Sequence, residues 1–558
     1  MTELPSSLIS TPPGIGSISS RGKLRTYALA LALFLLAGAL RWHQLGERDI
    51  WVDEANGVLI AQESPSRLIE RLKLDSSPPL YYFVLKGWMA AFGDSESAVR
   101  SLSALGGAVL AASVFVLGRR WFTTEVGILA ALLIATSPIQ IYYSQQARMY
   151  AWLPALALWS FHWLGRAVRE DKIRHYVAAA VCTLAALYTH NYGLYLLPAQ
   201  AVLVLATGAL RRRPGRWCGY AVALAVLYLP WTPVLLEQLR NGTHYSWFTP
   251  FWKEYGTLGA AWATLQSFAP GGKQPLYVAL RSAPTIAHWS TALVAGLFLL
   301  GVVAFIYTSS RRQTDADASK TRSGFTESGR TAAALYAVTL IPLLCALLAS
   351  TIVTPNYVPG RCDQLVFGLF CLCVAVGLSI VRPWFLRYLI AAALLTFAAF
   401  GLRPLYSRPN VPSERALARD IAARAQGGDA VLCTSMTRAP LEYYRRRLQT
   451  PIVLYSFPRD TSEHLGNIDE ATLLKDPERL RREAIEVARD IRAAHGPEAR
   501  FFLVMEYLKG DRVQDNPVNR ILYDEYLRGG LVRPLEIVGQ YAQAGTGLPV
   551  TTMLLQLK

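Results

Sequence analysis

From residue 26 to residue 402, long uncharged apolar runs alternate with short loops rich in Arg and Lys. The runs lie at 26–40, 102–118, 126–143, 149–164, 176–189, 192–210, 217–236, 289–308, 331–353, 364–380 and 384–402. They predict roughly eleven membrane-spanning helices, several of them short of the ~20 residues that cross a bilayer. A further apolar stretch, 80–93, is too short to span and carries Lys86, so it reads as a helix lying along the membrane interface. From about residue 403 the pattern changes. Segments 429–434, 451–457, 500–507, 535–541 and 549–557 read as strands, and 478–494 has the three-to-four spacing of an amphipathic helix. The fold class expected is a polytopic α-helical membrane protein with a C-terminal soluble α/β domain. Its divisions are a Ser/Pro/Gly-rich tail over 1–20, expected to be disordered, a membrane domain over 21–402, and the α/β domain over 403–558.

Charge sharpens this division. The chain has 558 residues, 52% of them hydrophobic and 17% charged. Residues 402–558 carry 23 basic and 20 acidic side chains, whereas 1–401 carry 33 basic and only 19 acidic ones. That imbalance excludes a string of soluble domains, and it needs no nucleic-acid partner. The excess cations sit in alternate loops, where membrane insertion favours them on the cytoplasmic side. With a cytoplasmic N-terminus, Arg21/Lys23/Arg25, Arg119/Arg120, Arg166/Arg169/Lys172/Arg174, Arg211–Arg213/Arg216, Arg311/Arg312/Lys320/Arg322 and Arg382/Arg387 all fall on that side. The outer face then receives 41–101, 237–288 and the C-terminal domain. Ala37-Gly38-Ala39 imitates a signal-peptidase site, but the alternation requires the first span to stay in place. The seven cysteines lie mostly in apolar runs, without the spacing of a metal site or a disulfide framework.

The acids of the membrane domain are scarce and unevenly placed. Nine of the 19 fall in the first outer loop: Glu47, Asp49, Asp53, Glu54, Glu63, Glu70, Asp75, Asp94 and Glu96. None stands in the middle of a span, where an ion-coupled transporter keeps its ionisable groups. They gather around Trp51-Val52-Asp53-Glu54, and paired carboxylates beside a low-dielectric surface suit general-base chemistry. The same loop continues Asp75-Ser76-Ser77-Pro78-Pro79-Leu80-Tyr81-Tyr82, and the second outer loop reads Tyr142-Tyr143-Ser144-Gln145-Gln146-Ala147-Arg148-Met149-Tyr150.

Together these motifs resemble those of the GT-C superfamily of polytopic glycosyltransferases, in the clan of protein O-mannosyltransferases and lipid A aminoarabinose transferases. Within that clan the chain is most similar to the bacterial dolichyl-phosphate-mannose-protein-mannosyltransferase-like branch. The likeness rests on Asp53-Glu54, Pro78–Tyr82, Tyr143–Tyr150, Thr189-His190-Asn191-Tyr192-Gly193 and the late loop Pro355–Arg361, and it covers roughly 25–400. The chain departs from the pattern in three places. Gln146 replaces the second-loop Glu, Ser77 replaces the His that often precedes Pro-Pro, and Arg361-Cys362 replaces an Arg-Tyr pair.

The resemblance implies sugar transfer from a polyprenyl-phosphate donor to an acceptor hydroxyl on a glycolipid, polysaccharide or protein, with inversion, at the outer face of a bacterial inner membrane. Asp53 is the expected base, with Glu54 or Asp75 positioning the acceptor or a cation. If a cation takes part, oxygen ligands from Asp53, Glu54 and Asp75 suit Mg²⁺ or Mn²⁺. Arg148 and Arg361 are expected on the donor phosphate. Tyr81, Tyr82, Tyr150, Tyr192, Tyr357, Gln146 and His190 are expected around the substrate. The alternatives are a transporter or flippase of lipid-linked sugars and a non-catalytic membrane scaffold.

Overall fold

The computed structural model describes residues 20–240, 248–272, 284–314, 322–353, 355–407, 413–449, 451–462, 473–506, 508–509, 512–513, 516–542 and 549–558. Residues 1–19 of the N-terminal tail lie outside the described residues.

In chain order the helices are α1 (Ser20–Trp42), α2 (Val52–Gln62), α3 (Pro65–Lys73), α4 (Leu80–Phe92), α5 (Glu96–Trp121), α6 (Thr124–Thr136), α7 (Pro138–Ser144), α8 (Leu153–Glu170), α9 (Ile173–Thr189), α10 (Leu196–Ala206), α11 (Ala209–Arg212), α12 (Pro214–Tyr228), α13 (Thr232–Arg240), α14 (Phe248–Phe268), α15 (Pro284–Thr314), α16 (Arg322–Ile352), α17 (Phe367–Ile380), α18 (Trp384–Tyr406), α19 (Glu414–Arg424) and α20 (Arg438–Leu448). Two further helices, Pro477–His495 and Pro517–Tyr523, belong to the C-terminal region. The chain is a multi-pass membrane protein. Seven described helices are long and apolar enough to cross a membrane, or eight if the bent pair α6–α7 makes one span. A helix stands at each of the eleven expected places, but length and apolarity do not support eleven full spans among the described residues. The helix Asn191–Ala206 is apolar yet short, and the charged last turns of α8 make it amphipathic rather than uniformly apolar.

The described residues form two compact units. The first contains residues through Leu45, Arg100–Trp231 and Phe248–Arg408; the second contains Gly46–Val99, Thr232–Trp247 and Pro409–Lys558. In the first unit α17 is almost wholly buried, whereas α1 and α18 expose rows of large apolar side chains such as Leu31, Leu35, Phe385 and Leu389. An apolar surface of this kind suits a helix in contact with lipid.

The second unit joins residues 46–99 to the C-terminal α/β domain, so the boundary near residue 403 divides the chain but not its packing. Its main sheet has the order β2-β1-β3-β7-β6, with β1 (Ala430–Thr434), β2 (Val453–Phe457) and β3 (Arg500–Glu506) parallel. The small pair β4 (Leu508–Lys509) and β5 (Arg512–Val513) is antiparallel, as are β6 (Val532–Ala542) and β7 (Pro549–Leu557). β1 and β3 are nearly continuous buried apolar runs, as strands covered on both faces require, whereas the edge strand β2 is exposed at Val453. Leu432, Phe501, Leu503 and Leu555 pack against Leu480, Val487 and Ile491 of the helix Pro477–His495. All five expected strands are present within three residues at either end.

Candidate functional site

Each unit holds one cluster of the expected residues. In the first unit the cluster begins at a break between α6 and α7, where the chain bends by 60°. Ser137 caps α7 and accepts from the Gln140 N–H, with Pro138 at its first turn. Pro138 has no N–H, so the Ile134 carbonyl loses the donor that an unbroken helix would give it. The fully buried Arg41, in the last turn of α1, supplies the missing donors. It donates to Ile134 O (3.0 Å), Ala135 O (3.1 Å), Ala37 O (3.0 Å) and Ser144 Oγ (3.1 Å). A Cβ at Gly107 would overlap Arg41 Nε and Ser144 Oγ, so this approach of α5 requires glycine. Sequence reading passed over Arg41. The signal was there: an arginine ending an apolar run, and a proline inside a later one.

Past α7, Gln145 donates to Arg41 O (3.1 Å) and His43 O (2.8 Å), and Ser103 donates to the carbonyl of Arg148 (2.7 Å). These bonds fix the turn that presents Arg148 and Tyr150. Tyr150 packs against Tyr143 (5.0 Å between ring centroids) and His190 (5.6 Å), and His190 packs against Tyr192 (5.3 Å). The guanidinium carbons of Arg361 and Arg148 lie 5.2 and 5.9 Å from the centroid of the Tyr150 ring. Arg361 Nε also donates to Tyr150 Oη at 2.6 Å. Two cations thus share one aromatic ring, both within cation–π range. The His190 ring accepts from the Tyr192 N–H through Nδ1 (3.0 Å), which caps the short turn Asn191–Tyr195 and gives His190 a structural part.

The late loop carrying Arg361 is held by a network of long sequence range. Tyr192 Oη donates to the Asn356 carbonyl oxygen, and Ser350 Oγ donates to Asn356 Oδ1 at 2.8 Å. Asp363 Oδ2 accepts from the Gly360 N–H (2.8 Å) and lies 3.4 Å from Tyr357 Oη, which also bonds Thr264 Oγ1 (2.6 Å). Gln364 Nε2 donates to Gly360 O (3.0 Å) and its Oε1 accepts from Gln140 of α7 (3.1 Å). Burial pushes the Tyr357 phenol well above its usual range and the Cys362 thiol up to about 11. Both stay neutral at ordinary pH and serve as packing and hydrogen-bonding groups. Asn356, Asp363 and Thr264 are members of this cluster that sequence reading missed, since each is unremarkable until the loop is closed.

In the second unit Asp53 and Glu54 occupy the first turn of α2, the end of a helix that favours negative charge. Asp53 is half-buried and Glu54 is buried. Asp75 is buried too, accepting from Tyr82 Oη (2.9 Å) and the Ser76 N–H (2.5 Å). Tyr81 stands edge-on to Tyr82, and both are buried on α4, the helix expected over 80–93. Lys86 of that helix caps the carbonyl end of α2, donating to Glu63 O at 2.7 Å. Among the described residues no group of three or more His, Cys, Asp and Glu is disposed to hold a metal ion. Asp53, Glu54 and Asp75, the oxygen ligands expected for Mg²⁺ or Mn²⁺, are not brought together as such a group, and Asp75 meets Tyr82 and Ser76.

Trp51 Nε1, Gln146 Oε1 and Asp363 Oδ1 are buried polar atoms with no hydrogen-bond partner among the described residues. Buried polar atoms are rarely left so.

Residues 76–231 match the protein family described as dolichyl-phosphate-mannose-protein mannosyltransferase. The match takes in Pro78–Tyr82, Tyr143–Tyr150 and His190–Gly193 and bears out the sequence resemblance there. Asp53, Glu54, Asp75 and Arg361 lie outside it. No curated protein matches the chain significantly. Among solved structures, the chain is similar to ArnT from Cupriavidus metallidurans bound to undecaprenyl phosphate, with 13% identity and TM-score 0.49, covering 96% of this chain and 98% of that one. It is also similar to the Archaeoglobus fulgidus oligosaccharyltransferase in the apo form, with 14% identity and TM-score 0.45, covering 86% of this chain and 69% of that one.

Proposed function

We propose that the chain is an inverting glycosyltransferase. It moves a sugar from a polyprenyl-phosphate carrier to the hydroxyl of a glycolipid, polysaccharide or protein at the outer face of a bacterial inner membrane. The observation that carries this reading is the convergence of Arg148 and Arg361 on Tyr150. Paired guanidiniums in a buried aromatic setting suit a phosphate, whose charge rises as it leaves. In the reaction the acceptor oxygen attacks the anomeric carbon and the bond from that carbon to the phosphate oxygen breaks. The electron pair leaves with the polyprenyl phosphate, and the acceptor proton passes to Asp53. Phosphate is a good leaving group, so no general acid is needed. A positioned base contributes about 10²–10⁴ in rate. Glu54 and Asp75 orient the acceptor, Asp75 through its bond to Tyr82.

The test compares polyprenyl-phosphate-sugar pools and envelope glycans with and without the gene, and assays purified protein for transfer. Wild type is expected to transfer sugar and Asp53→Asn is expected to lose transfer. Full transfer by Asp53→Asn would remove Asp53 from the base role.

A further inference from the structure

The helix bearing Asp53 is not self-supporting. It has eleven residues, short for a helix stable in isolation, and its N-cap Trp51 provides no side-chain cap. The residues just before it are fixed by the C-terminal α/β domain. Tyr444 Oη of α20 accepts the buried Ile50 N–H at 2.9 Å. Asp49 is held by the N-terminal turn of α19, accepting from the Arg415 N–H (2.9 Å) and Ser413 Oγ and forming an ion pair with the Arg415 guanidinium (3.1 Å). Arg415 reaches on to Glu96 (3.0 Å) and the Gly46 carbonyl (3.3 Å), closing both ends of the loop. Farther along, Arg446 bonds Gln62 at the end of α2 (2.9 Å), while Tyr443 and Arg447 hold Asp94 (2.7 and 2.8 Å).

We propose that Tyr444 and Arg415 are positioning residues for Asp53, and that the C-terminal domain acts as a clamp setting where the acid helix begins. This rests on the base role given to Asp53 above. Asp49 and Ile50 are four and three residues from Asp53, so a shift at either anchor carries into the first turn of α2. Misplacing a reacting group by about 1 Å costs as much as 10²-fold in rate. A clamp therefore acts on turnover while leaving donor binding alone.

The experiment uses the full-length protein in detergent or nanodiscs, with Tyr444→Phe, Arg415→Gln and Arg415→Lys. Arg424→Ala serves as a control on the same helix, at the exposed Arg424–Glu536 pair. Hydrogen exchange is followed in the peptide spanning 49–56, and transfer is followed with a polyprenyl-phosphate-sugar donor. Tyr444→Phe and Arg415→Gln are expected to speed exchange in that peptide and to lower kcat by about tenfold, with donor KM within twofold. Arg415→Lys, which keeps a cation for Asp49 and Glu96, is expected to recover part of the kcat. Arg424→Ala is expected to match wild type. Unchanged exchange and unchanged kcat in folded Tyr444→Phe and Arg415→Gln would overturn the clamp. Retained transfer in Asp53→Asn would instead overturn the base assignment, a separate result, because the exchange measurement reads the clamp without it.

Discussion

The arginine cluster of the first unit and the acid helix of the second solve the same problem, holding charged groups still, in different ways. The first is a mesh. Arg41, Tyr143, Arg148, His190, Asn356 and Arg361 come from four separate segments, and all but Tyr143 are met here by a partner far away in sequence. The second is a lever. Asp53 and Glu54 ride on one short helix, and the grips on it lie at its two ends, in Tyr444, Arg415, Arg446 and Lys86. A mesh dilutes the loss of one contact over many, whereas a lever passes it straight to the working end. The arginine cluster should accordingly answer to mutation through donor affinity and folding, and the acid helix through turnover.

The largest expected effect is on the working end itself. Asp53→Asn should lower kcat by about 10²–10⁴ and leave donor affinity unchanged, as read by single-turnover transfer and a donor binding isotherm. Next comes Arg361→Gln, which should weaken donor binding by about tenfold to a hundredfold through loss of a charge-assisted contact worth ~1.5–3 kcal/mol. The Arg148→Gln variant should behave alike, and both are checked by titration with polyprenyl phosphate.

Arg41→Met probes the mesh at its root. It leaves the Ala135 carbonyl without the Arg41 donor and the Ile134 carbonyl with only the long bond from the Ser137 N–H (3.4 Å), at roughly 1–3 kcal/mol for an unsatisfied group. Thermal unfolding in detergent should show a clear fall in stability, and Gly107→Ala should imitate it by displacing the same guanidinium. The smallest effect concerns the grip of the lever. Although burial opposes it, the bonds from Arg445 and Arg446 hold the Glu442 carboxyl of α20 below its usual value of 4.5. A lowered carboxyl stabilises the fold above its unfolded pKa, and that stability is lost as pH falls through the folded value. The second unit should therefore lose a little stability below about pH 4.5, and Glu442→Gln should flatten that limb of a denaturation–pH profile.

Much of this architecture was legible in the residues alone. The strands of the α/β domain were readable because buried parallel strands are unbroken apolar runs, and 478–494 because its apolar spacing is helical. The sites of the helices were readable too, but not which of them are long enough to span, since a run of apolar residues does not reveal where Pro138 breaks it. Tyr81, Tyr82, Arg148, Tyr150, His190, Tyr192, Tyr357 and Arg361 could be named because they stand in compact motifs. Asp363 and Asn356 could not, because their worth lies in what they meet after folding, and Arg41 was marked only by its place at the end of an apolar run. The metal expectation likewise rests on three acids near one another in sequence, of which Asp75 meets Tyr82 and Ser76 after folding.

The most direct test is to measure, on one purified preparation, donor binding and single-turnover transfer for Asp53→Asn beside Arg361→Gln. A clean separation is expected, with Asp53→Asn binding the polyprenyl-phosphate sugar as wild type does yet failing to transfer it, and Arg361→Gln binding it poorly. Transfer by Asp53→Asn at the wild-type rate would contradict the account.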